Sequence, residues 1–167
     1  DDGDEAESSG IDEVIFFYNT DIDEIRDDFF AEEILSIPHR QLVAVLEPCF
    51  SGGFVRDLGD DNTVVMSACL DDELSYGGLM VDGVQFDFFA YFFAEAINQA
   101  NPAGAALSTN PDTDGDGQVS MLEAFLYATR MDTANETPLL EANGDGVGQA
   151  NPTTSDSDGS RARNVFL

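Results

Sequence analysis

The sequence predicts an α/β fold built around a mostly parallel sheet. Three short segments, residues 14–18, 42–46 and 63–67, are continuously apolar, which is typical of strands buried on both faces. They alternate with two segments, residues 21–37 and 86–101, in which apolar side chains recur at helical spacing. Because connections between parallel strands carry helices across the sheet, we expect helices on both of its faces.

Local signals define the remaining elements. Pro38 ends the helix predicted before it, since proline cannot continue a helix. The glycine-rich segment 77–83 predicts a turn or a small hairpin, and residues 101–111 predict a loop. A last clear helix is predicted over 121–131, after which the chain becomes polar and rich in Asn, Asp and Gly.

The charge balance is extreme for a chain of 167 residues. Asp and Glu number 34 against 6 basic residues, all of them arginine, for a formal net charge of −28. This charge repels nucleic acid and anionic lipid, and it favours multivalent cations or a salty medium. Residues 1–12 are predicted to be an acidic lead-in, and no apolar run of about 18 residues predicts a membrane span.

The most specific short pattern is DTDGDGQVSMLE, residues 112–123, which fits the loop of an EF-hand without a mismatch. The pattern needs Gly117 for its sharp turn, and oxygen ligands suit a hard cation such as Ca²⁺. The alternative is an acidic turn that precedes a helix. The expected ligands are Asp112, Asp114, Asp116, Gln118 through its carbonyl, Ser120 and Glu123.

The surroundings of this loop predict a single structural site. The preceding segment 101–111 is not helical, so the incoming helix of a paired sensor hand is missing. Two later segments, 141–148 and 155–160, contain similar Asp/Asn-Gly turns but lack the closing glutamate. We expect those two segments to be solvated turns, with calcium binding as the alternative.

Cys49 follows the predicted strand 42–46, at the edge of an open α/β sheet where ligands and chemistry are found. The Ser51-Gly52-Gly53 turn that comes next can bring backbone N–H groups close to the sulfur, as an oxyanion hole requires. A packed thiol at the end of a strand is the other interpretation. The residues alone leave both open.

A wider pattern resembles the caspase-like cysteine peptidases, the group that contains legumains, metacaspases and caspases. VAVLEPCFSGGF resembles their nucleophile segment, TVVMSACLDDELSYG their next strand and FDFFAYFFAEAI the helix that follows. The loop 112–123 resembles a calcium-type insert of some bacterial members, and ETPLL and SDGSRARNVFL resemble their ends. The resemblance covers residues 13–167. It implies a three-layer αβα caspase-like domain over 13–131, with a calcium-binding loop and helix, and an irregular extension over 132–167 packed on it.

The resemblance also implies roles for particular residues. Cys49 would be the nucleophile of a cysteine endopeptidase, and the N–H groups of Cys49 and the Gly52 region would hold the oxyanion. The residues implied around the substrate are Glu47, Asp71, Asp72 and Ser75. An acidic pocket favours Arg or Lys, whereas legumain-like members accept Asn with a similar glutamate. Cys69 is expected to be a buried small residue, although a disulfide to Cys49 would abolish the thiolate.

The catalytic base that the resemblance implies is not evident in this sequence. The family uses a histidine from a His-Gly strand upstream of the cysteine, and the single histidine here is His39. The strand 42–46 separates His39 from Cys49 by roughly 20 Å at about 3.3 Å per residue. We therefore expect the base on an upstream segment of the same protein, or else a non-catalytic, calcium-stabilised interaction or structural subunit. The acidic surface and the calcium loop predict a secreted or cell-surface protein.

Overall fold

A computed structural model describes residues 13–16 and 24–167 of the chain. The chain has seven short strands and five helices in this part, with bounds that differ in places from the sequence-based expectations. In chain order they are β1 Val14–Phe16, β2 Glu24–Arg26, α1 Asp27–Leu35, β3 Leu42–Leu46, α2 Gly53–Leu58, β4 Thr63–Ser67, β5 Gly77–Val81, β6 Val84–Asp87, α3 Phe88–Asn98, α4 Met121–Met131, β7 Leu139–Glu141 and α5 Ser157–Ala162.

The central sheet has the order β3-β4-β7. Strands β3 and β4 are parallel and paired from Leu42↔Thr63 to Leu46↔Ser67. Strand β7 runs antiparallel to β4, with Val65 opposite Glu141. The predicted strands 42–46 and 63–67 are thus confirmed, whereas the sheet is mixed, with one parallel and one antiparallel pairing.

Apolar clusters cover both faces of this sheet. On one face, Val64 and Met66 of β4 pack with Phe89 of α3 and Phe125 of α4 in one buried cluster. On the other face, Val65 packs with Phe54, Val55 and Leu58 of α2 and with Ala31 of α1. The alternation of side chains along β4 therefore supplies both clusters, which is why every residue of this strand is buried.

The N-terminal expectations need correction. The strand predicted over 14–18 is described for Val14–Phe16, and it pairs antiparallel with β2 in a separate two-stranded sheet. Phe16 is 71% exposed, so this strand is not buried on both faces. The helix predicted over 21–37 begins only at Asp27, because Glu24–Arg26 form β2. The acidic lead-in 1–12 lies outside the described residues.

The segment 77–83 does form part of a hairpin, β5–β6, which turns at Asp82 and Gly83. This hairpin extends to Asp87, so α3 starts at Phe88 and not at the predicted residue 86. Helix α2 was not predicted, and its six residues are too few to show a helical period. Among the described residues, no helix has both the length and the apolar character that a membrane span needs.

The C-terminal extension is less irregular than its composition predicts. Residues Leu139–Glu141 form β7, which completes the central sheet, and Ser157–Ala162 form α5. Ala162 and Val165 are buried in the cluster that contains α3 and α4. The backbone N–H of Met121, at the start of α4, donates to the carbonyl of Val165 at 2.9 Å. The extension is therefore packed against the rest of the chain.

Candidate functional site

The candidate active site lies at the edge where the parallel strands β3 and β4 both end. Two loops follow these strands there, residues 47–52 and 68–76. Backbone hydrogen bonds join them, since the Phe50 N–H donates to the Glu73 carbonyl at 2.8 Å and the Ala68 N–H to the Leu46 carbonyl at 2.9 Å. Parallel pairing of the strands thus brings together loops that are some twenty residues apart in the chain.

Cys49 is a free and exposed cysteine in the first of these loops. Its Sγ lies 3.6 Å from the carbonyl oxygen of Ser75 in the second loop. Cys69 is also free, so the two cysteines form no disulfide. The Cys49 thiol is accordingly accessible to a reagent or substrate from solvent.

The turn after Cys49 requires glycine at one position. A Cβ on Gly52 would lie 2.4 Å from the Asp71 nitrogen and 2.5 Å from the Leu70 carbonyl carbon, which are backbone atoms that cannot rotate away. Phe50, just before, adopts a left-handed φ of 64°. The turn therefore leaves two backbone N–H groups, those of Cys49 and Gly52, without an acceptor among the described residues.

Cys69 has the role of a packed residue. It is fully buried, and its Sγ lies 3.4 Å from the Glu73 carbonyl and 3.5 Å from the Ser51 hydroxyl. Burial raises the pKa of its thiol. A buried thiol with a raised pKa is a poor nucleophile, which confirms the expectation of a buried small residue.

Glu47 connects the two loops to helix α3. Its Oε1 accepts from the backbone N–H of Ala90, and its Oε2 accepts from the Ser75 hydroxyl at 3.4 Å. Burial raises the pKa of Glu47 to about 7, assisted by the charge of Asp87 and opposed by the hydrogen bond from Ala90. The structure therefore brings together three of the predicted residues: Cys49, Ser75 and Glu47.

The two predicted aspartates are placed differently. Asp71 lines a cleft that also contains Gly52, Arg56 and Val147. Asp72 is exposed and takes no part in the hydrogen bonds that join Glu47 to Ser75. The backbone of Asp71 contributes to the site by restricting Gly52, and Glu47 is the carboxylate next to Cys49 and Ser75.

Sequence reasoning missed two carboxylates at this site, Asp132 and Glu136. Glu136 accepts from the backbone N–H of Tyr76 at 2.8 Å, next to Ser75. Burial and the neighbouring Asp132 raise the pKa of Glu136 to about 8. Asp132 Oδ2 and Glu136 Oε1 are both buried and accept from no described residue. The only sequence signal was ETPLL, whose glutamate is Glu136.

These loops fall within a recognised family. A model of the peptidase C13 family, the legumain family of the caspase-like clan, matches residues 14–110. The match spans more than half of the chain and includes both site loops. The chain belongs to the peptidase C13 family. A search of curated proteins found no match.

His39 of this C13 chain is remote from the loop that contains Cys49. It precedes β3, whereas Cys49 follows it, and the five residues of β3 span roughly 16 Å at about 3.3 Å each. The His39 Nδ1 lies 2.7 Å from the Ile37 carbonyl, within its own turn. The structure thus agrees with the expectation that His39 is not the base for Cys49.

The acidic loop 112–123 lies beyond the C13 match. Carboxylate oxygens of Asp112, Asp114 and Asp116 lie within 4.8 Å of one another, and residues 113–118 of the loop are exposed. Gly117 has a φ of 90°, as the sharp turn requires. Three carboxylates converging in this way fit a hard cation, because like charges so close together are otherwise repelled.

Glu123 has a second role that the loop pattern did not reveal. It forms a capping box with Ser120 at the start of α4, since Oε2 accepts from the Ser120 N–H at 2.9 Å. Its Oε1 accepts from the Thr113 N–H at 2.8 Å. Burial acts to raise the pKa of Glu123, but the hydrogen bonds from Ser120 and Thr113 lower it to about 2. Its role as a bidentate ligand stays a prediction and requires it to exchange these bonds for a cation.

Proposed function

We propose that this C13 chain carries the nucleophile of a caspase-like cysteine endopeptidase. The observation that supports it best is the free, exposed Cys49 at the carboxyl end of β3, followed by a turn that only glycine fits at Gly52. Helices packed on both faces of the central sheet support the finer proposal of a three-layer caspase-like arrangement. Family membership supports a cysteine peptidase function at the level of the family.

The proposed reaction is hydrolysis of a peptide bond through a thioester. The Cys49 thiol gives its proton to a base, and the sulfur bonds to the peptide carbonyl carbon. The N–H groups of Cys49 and Gly52 stabilise the negative oxygen that forms. The C–N bond then breaks, the amine leaves with a proton, and water hydrolyses the thioester. The base is proposed to be a histidine on an upstream segment of the same protein, a necessary partner of this chain.

The substrate pocket is proposed to be acidic. The Ser75 carbonyl lies 3.6 Å from the Cys49 sulfur, Glu47 and Glu136 contact Ser75 and Tyr76, and Asp132 neighbours Glu136. A cationic side chain would pair with these carboxylates and oppose the burial, assisted by neighbouring charges, that raises the pKa of Glu47 and Glu136. We therefore favour peptides with Arg or Lys before the scissile bond, and Asn, as in legumain-like enzymes, is the alternative. Asp71 and Asp72 are proposed to lie at the rim.

Calcium is proposed to bind the loop 112–123. Asp112, Asp114 and Asp116 would supply carboxylate oxygens, with the Gln118 carbonyl, Ser120 and Glu123 completing the cage. The bound ion would stabilise the start of α4, whose apolar face packs against α3. Together with the acidic composition, this supports an extracellular or cell-surface location, where calcium is plentiful.

Covalent labelling tests the peptidase proposal. The complete protein in calcium is treated with a peptidyl acyloxymethyl ketone that ends in arginine, and labelled peptides are mapped by mass spectrometry. We expect modification at Cys49, loss of labelling in Cys49→Ser, and retention in Cys69→Ser, which keeps the reactive thiol. A general alkylator that modifies Cys49 while the peptidyl reagent fails would refute the proposal. That outcome would favour the different class, a calcium-stabilised interaction subunit without catalysis.

A further inference from the structure

Two buried acidic side chains in the C-terminal extension influence each other electrostatically, outside the site and the loop already described. Glu141 is the last residue of β7, and Asp158 lies in the first turn of α5. Both are fully buried, with 0% of each residue exposed. The loop 142–148 runs between them and contains Asn143 and Asp145. The Asn143 Nδ2 donates to the Ser157 hydroxyl at 2.8 Å, which holds this loop against α5.

In each buried carboxylate, only one of the two oxygens accepts hydrogen bonds from described residues. The Glu141 Oε1 accepts from the backbone N–H groups of Gly144 at 2.6 Å and Asp145 at 3.2 Å. The Asp158 Oδ1 accepts from the N–H groups of Ala142 at 2.8 Å and Asn143 at 3.1 Å. The second oxygen of each carboxylate, Glu141 Oε2 and Asp158 Oδ2, is buried and accepts from no described residue.

No arginine forms an ion pair with Glu141 or Asp158 within the described residues. Arg56, which lies beside the loop 145–148, pairs with Asp57 at 3.1 Å. Burial raises the pKa of Glu141, and the charge of Asp158 raises it further. Burial also raises the pKa of Asp158, and the charge of Asp145 adds to this. Buried carboxylates without a cation are strongly disfavoured, so this arrangement needs either protons or a bound ion.

We propose that Glu141 and Asp158 form the core of a second cation site, which binds Ca²⁺ independently of the loop 112–123. Glu141 Oε2 and Asp158 Oδ2 supply the buried ligands, and Asp145 and the carbonyls of the loop complete the shell. All of these donors are oxygen atoms, which suits a hard cation, and an irregular loop suits the flexible coordination of Ca²⁺ better than the strict octahedron of Mg²⁺. The expectation of a solvated turn over 141–148 overlooked Asp158, because α5 brings that carboxylate in from outside the loop pattern.

Calcium stoichiometry tests the second site. The complete chain is freed of metal with a chelator and titrated with calcium chloride in a calorimeter, with magnesium chloride as a parallel titration. We expect two calcium ions per chain in the natural protein. Asp145→Asn and Asp158→Asn should each lose one ion, and Asp114→Asn should lose the other. Asp72→Asn, which removes an exposed charge elsewhere, should keep both.

Asp145→Asn is the variant least expected to disturb folding, so a loss of binding in it reports on the site. Asp145 is exposed, and an asparagine there can still accept from the Val147 N–H, as Asp145 does at 2.9 Å. A second measurement uses Asp114→Asn, in which calcium should slow hydrogen exchange at the amides of residues 142–146. If Asp145→Asn binds as many ions as the natural protein, or calcium leaves that exchange unchanged, the second site is refuted. Loss of all binding in Asp114→Asn refutes it as well, while leaving the first loop supported.

Discussion

Replacing Glu47 with glutamine should remove part of the pH dependence of stability. The pKa of Glu47 is raised by burial to about 7 in the folded chain, from an ordinary value of 4.5. The folded state therefore binds a proton that the unfolded state has lost between these two values. Its contribution to stability is fully present below pH 4.5 and is lost as the pH rises through 7. Glutamine is neutral throughout and has no such dependence.

The magnitude follows from the difference between the two pKa values. Each pH unit corresponds to about 1.4 kcal/mol, so the full shift sets an upper limit of about 3 kcal/mol. Glu47 is only half-buried, and solvent screening reduces this to about 1–2 kcal/mol. We expect the free energy of unfolding of Glu47→Gln, relative to the natural protein, to rise by that amount between pH 5 and pH 8.

Urea unfolding, followed by circular dichroism at several pH values, measures this difference. Asp72→Asn is the matched control, since it removes an exposed carboxylate from the neighbouring loop and leaves Glu47 in place. The pKa of Glu136 is also raised, so the natural protein has a second source of pH-dependent stability. The measured quantity is therefore the difference in unfolding free energy between the natural protein and each variant, at each pH. A difference between Glu47→Gln and the natural protein that stays constant from pH 5 to pH 8 would contradict the buried, proton-binding Glu47.

Three further substitutions test separate parts of the structure. Gly52→Ala should destabilise the fold by about 1–3 kcal/mol, because its Cβ meets the backbone of residues 70 and 71, and should abolish ketone labelling of Cys49 even in the folded fraction. Asp114→Asn should lower the melting temperature by several degrees in calcium and leave it unchanged in chelator, measured by calorimetry. Ser120→Ala removes the cap of α4 and should cost about 1 kcal/mol in chelator, and a larger cost in calcium would measure its part as a ligand. An equal loss for Asp114→Asn in chelator would contradict the calcium proposal.

Two of the three strands of the central sheet could be predicted because they are largely apolar. Thr63–Ser67 is buried along its whole length, and such a run has few alternatives to a strand covered on both faces. The same signal was misleading at residues 14–18, since an apolar run does not reveal which strand it pairs with. Helix α2 and strand β7 were missed because three to six residues are too short for a period to appear.

The residues of the candidate site that directly follow the parallel strands could be predicted from the sequence. Cys49 and Ser75 come together because parallel strands end at the same edge of a sheet. Glu136 contacts Tyr76, and Asp158 contacts Ala142, across large separations in the chain. No short sequence pattern therefore predicts these contacts. Glu123 shows a further limit, since one glutamate satisfies both a capping pattern and a calcium pattern, and sequence does not choose between them.

Strand β7 has a consequence for biosynthesis. During translation β3 and β4 leave the ribosome together, but β4 keeps an unpaired edge until residues 139–141 emerge, and an open edge is a template for aggregation. If a calcium ion is held by Glu141 at the end of β7, closure of that edge depends on the ion. Chains made where calcium is scarce would then remain incomplete and vulnerable, and would mature only after reaching a calcium-rich compartment.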